Sequence, residues 1–248
     1  NYNEGKAGDV GKVGDVSIVN NGTIKLTGNS TANGTTTAMA GDFITLTNNK
    51  TIKVTGNNGI GIYGAGGSKI LNSAGGSVTV GQEGVALYGA NKLNSSTLGD
   101  GTISVTNAGD IKGVSGKTKA FGIFAENTSA VGNSVLTNSG TIDFRGDDSI
   151  GIQVYSPFSH LTDTRHFPAS TEEINGNTYE VFTSSIERKI VKVDVKNEST
   201  ITTTGAKSYG MKISSRVNYN ESSVVNETSG VINVAGYGED NVNNPGNS

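Results

Sequence analysis

The sequence predicts an all-β chain wound as a right-handed parallel β-helix, with three short strands per coil and one irregular insertion. Three observations carry this. A short phrase recurs at a spacing of roughly 30 residues, each copy alternates apolar and polar residues with period two, and large apolar side chains are too few for a thick core. Of 248 residues, 36 are Gly and 28 are Asn, and the hydrophobic fraction is 33%, against roughly 45–50% in ordinary globular domains. Such a chain buries its apolar residues in a thin, regularly stacked interior or stays disordered.

The first phrase reads GTIKLTG at 22–28, KTIKVTG at 50–56, GSVTVGQ at 76–82 and GTIDFRG at 140–146, with weaker copies at 109–116, 199–205 and 230–236. Its first apolar residues are Ile24, Ile52, Val78, Ile111, Ile142, Ile201 and Ile232, separated by 28, 26, 33, 31, 59 and 31 residues. The long gap is one period plus an insertion at 157–189. Ile24 and Leu26 alternate with Lys25, the signature of a half-buried strand, and nothing sustains a helical period.

A second phrase follows: GIGIYG at 59–64, GVALYG at 84–89, FGIFA at 121–125, IGIQV at 150–154 and YGMKI at 209–213. Its rule is large, small, large. Period-two alternation puts Ile60 with Ile62, Val85 with Leu87 and Phe121 with Ile123 on one side, and Gly61, Ala86, Gly122 and Gly151 on the other. A third phrase precedes the first and ends in asparagine, at Asn20, Asn48, Asn72, Asn138 and Asn197, with Asn107 and Asn226 in equivalent places. Two readings of these asparagines stand: a hydrogen-bonded ladder at one corner, or residues that simply tolerate turns. Three strands per period and about seven or eight coils make a rod roughly 35 Å long.

The net charge is −3, from 19 basic and 22 acidic residues, and offers no electrostatic footprint for nucleic acid or an anionic membrane. Cysteine is absent, which removes disulfides and thiolate chemistry and suits a chain that crosses a bacterial envelope unfolded. Repeat-like turn residues at 241–248 lead us to expect that 1–248 is one β-helical piece of a longer chain.

The NxGTIxVTG and GIGIYG phrases resemble the passenger repeats of type Va autotransporter adhesins, including the very long ones of oral anaerobes. The likeness covers nearly all of the chain outside the insertion. It implies a surface-exposed rod that attaches to host cells or other bacteria through a protein or glycan receptor. It also implies membrane attachment only through an outer-membrane β-barrel that this sequence does not contain. No binding residue carries over, because such adhesins differ most in their loops.

Three features are candidates for binding. The insertion at 157–189, expected to project from the rod, concentrates His160, Arg165, His166, Glu172, Glu173, Tyr179 and Phe182; it is either a partner-binding element or a brace. INGNTY at 174–179 carries hairpin turn chemistry. Arg145, Gly146 and Asp147 spell RGD, an integrin-type tripeptide when displayed on a turn, although Gly146 shares its repeat position with Gly56 and Gly205. Tyr63, Tyr88 and Phe124 follow the inward residue of the second phrase and are expected to form an outward aromatic face, for a sugar or protein partner or for stiffening the rod.

No metal or cofactor is expected. His160 and His166 with Asp163 lack a recognised ligand spacing. Gly59, Gly61 and Gly64 match GxGxxG, but the repeat explains them and no helix start follows. An enzyme is not expected either. Glycoside hydrolysis needs two carboxylates across one groove, whereas Asp143, Asp147 and Asp148 crowd one turn; a polysaccharide lyase would need a base beside an acidic calcium site. The remaining alternative to an adhesin is a purely structural spacer.

Overall fold

The structure is a computed structural model describing residues 16–31, 34–91, 101–129, 132–156, 160–174, 177–189, 192–215 and 222–235. The side chains of 160–172, 174, 177–189 and 215 lie outside that description. It is a right-handed parallel β-helix, and each phrase is one strand of a coil.

The asparagine-ended phrase forms a seven-stranded sheet: β1 (Ser17–Asn20), β4 (Thr45–Asn48), β7 (Lys69–Asn72), β10 (Ile103–Asn107), β13 (Ser134–Asn138), β18 (Val193–Asn197) and β21 (Ser223–Asn226). The GTI-type phrase forms the second: β2 (Thr23–Leu26), β5 (Thr51–Val54), β8 (Ser77–Val80), β11 (Asp110–Gly113), β14 (Thr141–Phe144), β19 (Thr200–Thr203) and β22 (Val231–Val234). The third sheet holds β3 (Thr37–Asp42), β6 (Ile60–Ala65), β9 (Val85–Asn91), β12 (Phe121–Asn127), β15 (Ile150–Ser156) and β20 (Tyr209–Ser215). Register follows the repeat: Ile24, Ile52, Val78, Ile111, Ile142, Ile201 and Ile232 form one continuous column. Sequence spacing predicts it because every coil must return to the same place.

The interior is one aliphatic stack. Leu46, Ile70, Val105, Leu136 and Val195 enter from the first sheet, the Ile52 column from the second, and Ile62, Leu87, Ile123 and Ile152 from the third. Phe144 is the largest fully buried side chain. Small neighbours make room for it: a Cβ at Gly113 would lie 2.8 Å from its Cδ1, and one at Gly122 would lie 3.2 Å from its Cε2.

The third sheet departs from period-two alternation. Gly61, Ala86, Gly122 and Gly151 are buried along with the residue after each, while Ile60, Val85 and Phe121 are half-exposed. The small residue therefore faces inward, not opposite its larger neighbours. The strand bends there, so two consecutive residues turn toward the second sheet. At Gly61 there is space only for hydrogen, since a Cβ would come within 2.5 Å of Ala86 O and 2.7 Å of Val78 Cγ1, whereas Ala86 holds a methyl at the equivalent place.

At the corner between the first two sheets the asparagines form a ladder through all seven coils. Each Nδ2 donates to the next Oδ1, from Asn20 to Asn48 (2.7 Å), Asn72 (2.8 Å), Asn107 (2.8 Å), Asn138 (2.8 Å), Asn197 (2.8 Å) and Asn226 (2.7 Å). The second Nδ2 hydrogen caps a turn carbonyl, as Asn48 does at Lys50 O (2.9 Å) and Asn197 at Ser199 O (2.8 Å). Buried amides are thus satisfied in a chain of aligned dipoles. The ladder, not mere turn tolerance, accounts for these positions.

The insertion is a long antiparallel hairpin of β16 (His160–Ile174) and β17 (Asn177–Lys189), a two-stranded sheet of its own between β15 and β18. Ile174 pairs with Asn177 at its closed end, and Asn175 and Gly176 of the INGNTY segment lie outside the described residues. The register shifts between His166 and Ser170, around Pro168, which has no N–H to give a ladder.

Candidate functional site

The three outer faces differ in chemistry. On the first sheet Thr47, Thr106 and Thr137 recur, and on the second Thr51, Lys53, Thr79 and Lys112, all exposed or half-exposed. The third sheet instead turns out Ile60, Val85 and Phe121 in one column and Tyr63, Tyr88 and Phe124 in the next. Among the described residues this is where aromatic side chains gather on the surface.

The rings contact one another along the rod. Tyr63 meets Tyr88 edge-on at 5.2 Å between centroids and 72° between planes. Tyr88 stacks on Phe124 at 4.9 Å and 24°, and Phe121 lies 5.8 Å from Phe124. In-register spacing of about 4.8 Å makes such stacking the natural outcome of aromatic residues on successive coils. Tyr88 Oη donates to Glu126 Oε2 at 2.5 Å. Burial, and then the adjacent carboxylate, raise the phenol well above its ordinary value, so Tyr88 stays a neutral donor.

Farther along, Tyr155 and Tyr209 are exposed, and Lys212 Nζ sits 4.9 Å over the Tyr209 ring. The outward aromatic column is where the alignment of phrases put it. Alternation missed Ile60, Val85 and Phe121, because it assumes a straight strand; Glu126 could have been found as the outward residue two places after Phe124.

The RGD residues are held within the stack. Arg145 makes a bidentate contact with Asp143, Nε to Oδ1 at 3.1 Å and Nη2 to Oδ2 at 3.1 Å. Asp147 Oδ1 accepts from Ala206 N at 2.8 Å, and Gly146 is buried where an added Cβ would strike Lys117 O. Asp148 stands at φ 55°, as Asn58, Glu83, Lys119 and Lys207 do at the same corner of other coils, with φ of 55–57°. The tripeptide therefore occupies a regular coil corner whose two charges already have partners.

Of the insertion residues, Glu173 is exposed. The side chains of His160, Arg165, His166, Glu172, Tyr179 and Phe182 lie outside the described set, although pairing places Glu172 opposite Tyr179 and Arg165 one step from His166. Among the described residues no group of three His, Cys, Asp or Glu side chains converges as a metal site. Among the described residues no helix is long and apolar enough to cross a membrane, which says nothing of strands. No protein-family model, curated protein or solved structure matches this chain.

Proposed function

We propose that the chain is a segment of a surface-exposed bacterial adhesin of the autotransporter kind, a rod that attaches to host cells or other bacteria. In this reading it is displayed outside the cell and anchored to the outer membrane by another part of its parent protein. The supporting observation is the run of partly exposed aromatic side chains on the third sheet, beside two outer faces where Thr, Ser and Lys predominate, with Val19, Val135 and Val225 among them on the first. Aromatic side chains set among aliphatic ones are the usual anchors of a protein interface. Because Tyr88 and Phe124 turn their planes on each other, the face offers ring edges and methyl groups, which suits a protein receptor better than stacking on a sugar. A binding role also agrees with Asp143 and Asp147, whose carboxylates are engaged by Arg145 and Ala206 N and not aimed together across a groove.

The test is adhesion of the purified chain to host-cell and bacterial surfaces, compared with a Tyr88→Ala/Phe124→Ala variant and with a chain in which a short turn replaces 157–191. Adhesion lost in the aromatic variant, with the rod intact by circular dichroism, supports the third-sheet face. Loss with the hairpin alone transfers the contact to the insertion. Adhesion by none of the three folded proteins makes the chain a spacer and overturns the proposal.

A further inference from the structure

We propose that the outer face of the second sheet, over its first four coils, is a binding surface for a linear anionic polysaccharide laid along the rod. This goes beyond the receptor reading and stands on a different face. On β2, β5, β8 and β11 the outward residues are Thr23 and Lys25, Thr51 and Lys53, Ser77 and Thr79, and Asp110 and Lys112. In-register pairing sets Lys25 beside Lys53, and Thr79 between Lys53 and Lys112. Lys50, exposed in the turn before β5, adds a fourth ammonium group.

This arrangement works against the fold. Like charges directly opposed on neighbouring strands are destabilising, and here the strands are only about 4.8 Å apart. Three other cations are neutralised in place: Lys119 by Glu83 at 3.6 Å, Arg145 by Asp143 at 3.1 Å, and Lys196 by Glu198 at 2.7 Å and Glu227 at 3.4 Å. Among the described residues Lys25, Lys53 and Lys112 have no such partner. Asp110, the carboxylate on these four strands, accepts from Thr141 Oγ1 of the next coil at 2.6 Å and keeps its charge, and Asp143, opposite Lys112 on the next coil, is taken by Arg145. With Lys25, Lys50, Lys53 and Lys112 set against Asp110, the stripe is left positive in a chain whose net charge is −3.

Charge complementarity names the occupant. A sugar ring in an extended polysaccharide advances by about the rise between coils, so charges on alternate sugars match the two-coil spacing of Lys53 and Lys112, and a more densely sulfated chain meets Lys25 as well. The hydroxyl of Thr79 stands between Lys53 and Lys112, and those of Thr51 and Ser77 stand in the column beside them, to bond ring oxygens and hydroxyls. Single-stranded nucleic acid is the poorer fit, because its binding sites pair a basic groove with aromatic platforms, and the aromatic residues here lie on the third sheet.

The experiment measures binding of the purified chain to heparin, hyaluronan, uncharged dextran and a short single-stranded DNA at low and at raised salt. We expect heparin or hyaluronan to bind and dextran not to, with affinity falling as salt screens the stripe. A Lys25→Gln/Lys53→Gln variant should bind about tenfold more weakly, while Tyr88→Ala/Phe124→Ala binds unchanged. Preference for heparin identifies sulfate as the recognised group, and preference for hyaluronan identifies carboxylate. The lysine variant should also unfold at the same or a higher denaturant concentration, because it removes a repulsion. The proposal is overturned by absence of binding to both polyanions, by undiminished binding of the lysine variant, or by equal binding of DNA. A lowered unfolding midpoint overturns it too, by making the lysine stems structural cover. An adhesin that works through its aromatic face alone would fail this test and keep its adhesion.

Discussion

Asn107 shows what one residue does in this fold. Its side chain is fully buried, accepts from Asn72, donates to Asn138 at 2.8 Å and reaches Thr141 O at 3.3 Å. Asn107→Ala removes all three bonds and leaves an amide hydrogen on Asn72 and an oxygen on Asn138 buried without partners. Unsatisfied buried groups cost about 1–3 kcal/mol each, so we expect a loss of about 3 kcal/mol, read from the urea midpoint. Asn226→Ala at the exposed end of the ladder should cost less than half of that, and equal costs would refute the ladder as a buried network. The column was legible in the sequence because an asparagine closes each third phrase at the coil spacing. The direction of its bonds was not legible, since spacing does not say which amide donates.

The third-sheet strand is the element that sequence reasoning misjudged. Period two holds for a straight strand, and it located β4, β5, β7 and β8 well; β6, β9, β12 and β15 bend at their second residue, so Gly61 turns inward with Ile62. Gly61→Ala places a methyl against Ala86 O and Val78 Cγ1. It should destabilise the rod by about 1–3 kcal/mol, as overpacking does, whereas Ala86→Gly should fit without a clash. The same sheet predicts a pH dependence. Because the Tyr88 phenol has a raised pKa in the fold, its contribution to stability is whole below pH 10 and falls as pH rises past the unfolded value, where only the unfolded chain has ionised. Tyr88→Phe should therefore lose less stability than the parent chain between pH 10 and 11 in parallel denaturation series. An identical decline would mean that burial and Glu126 do not hold the proton. The hairpin shows the other limit of sequence reading: Asn175-Gly176 and the break in repeat marked an insertion, but the long pairing of β16 with β17 leaves no repeat to align.

Across the whole molecule, stability is a sum over coils and the contacts between neighbours, as in other solenoids. Equivalent inward positions are therefore unequal, depending on how many coils cover them. Ile18 in β1 is 41% exposed, and Val224 in β21 is 47% exposed, while Val105, in the same sheet at mid-rod, is 0% exposed. A charge at Val105 would sit between coils with no counter-ion and would break the stack on both sides. Val105→Asp should cost several kcal/mol and let the two halves unfold separately, seen as a second transition or as a lowered denaturant dependence of the main one. Ile18→Asp, whose side chain already meets water, should cost about 1 kcal/mol or less and keep a single transition. Hydrogen exchange offers the cleaner reading, because it resolves coils: after Val105→Asp, amides of β7 to β13 should lose protection first, whereas after Ile18→Asp the loss should stay in β1 and β2. Equal loss along the full rod in both variants would mean that the coils fold as one indivisible unit and that nearest-neighbour additivity does not describe this chain.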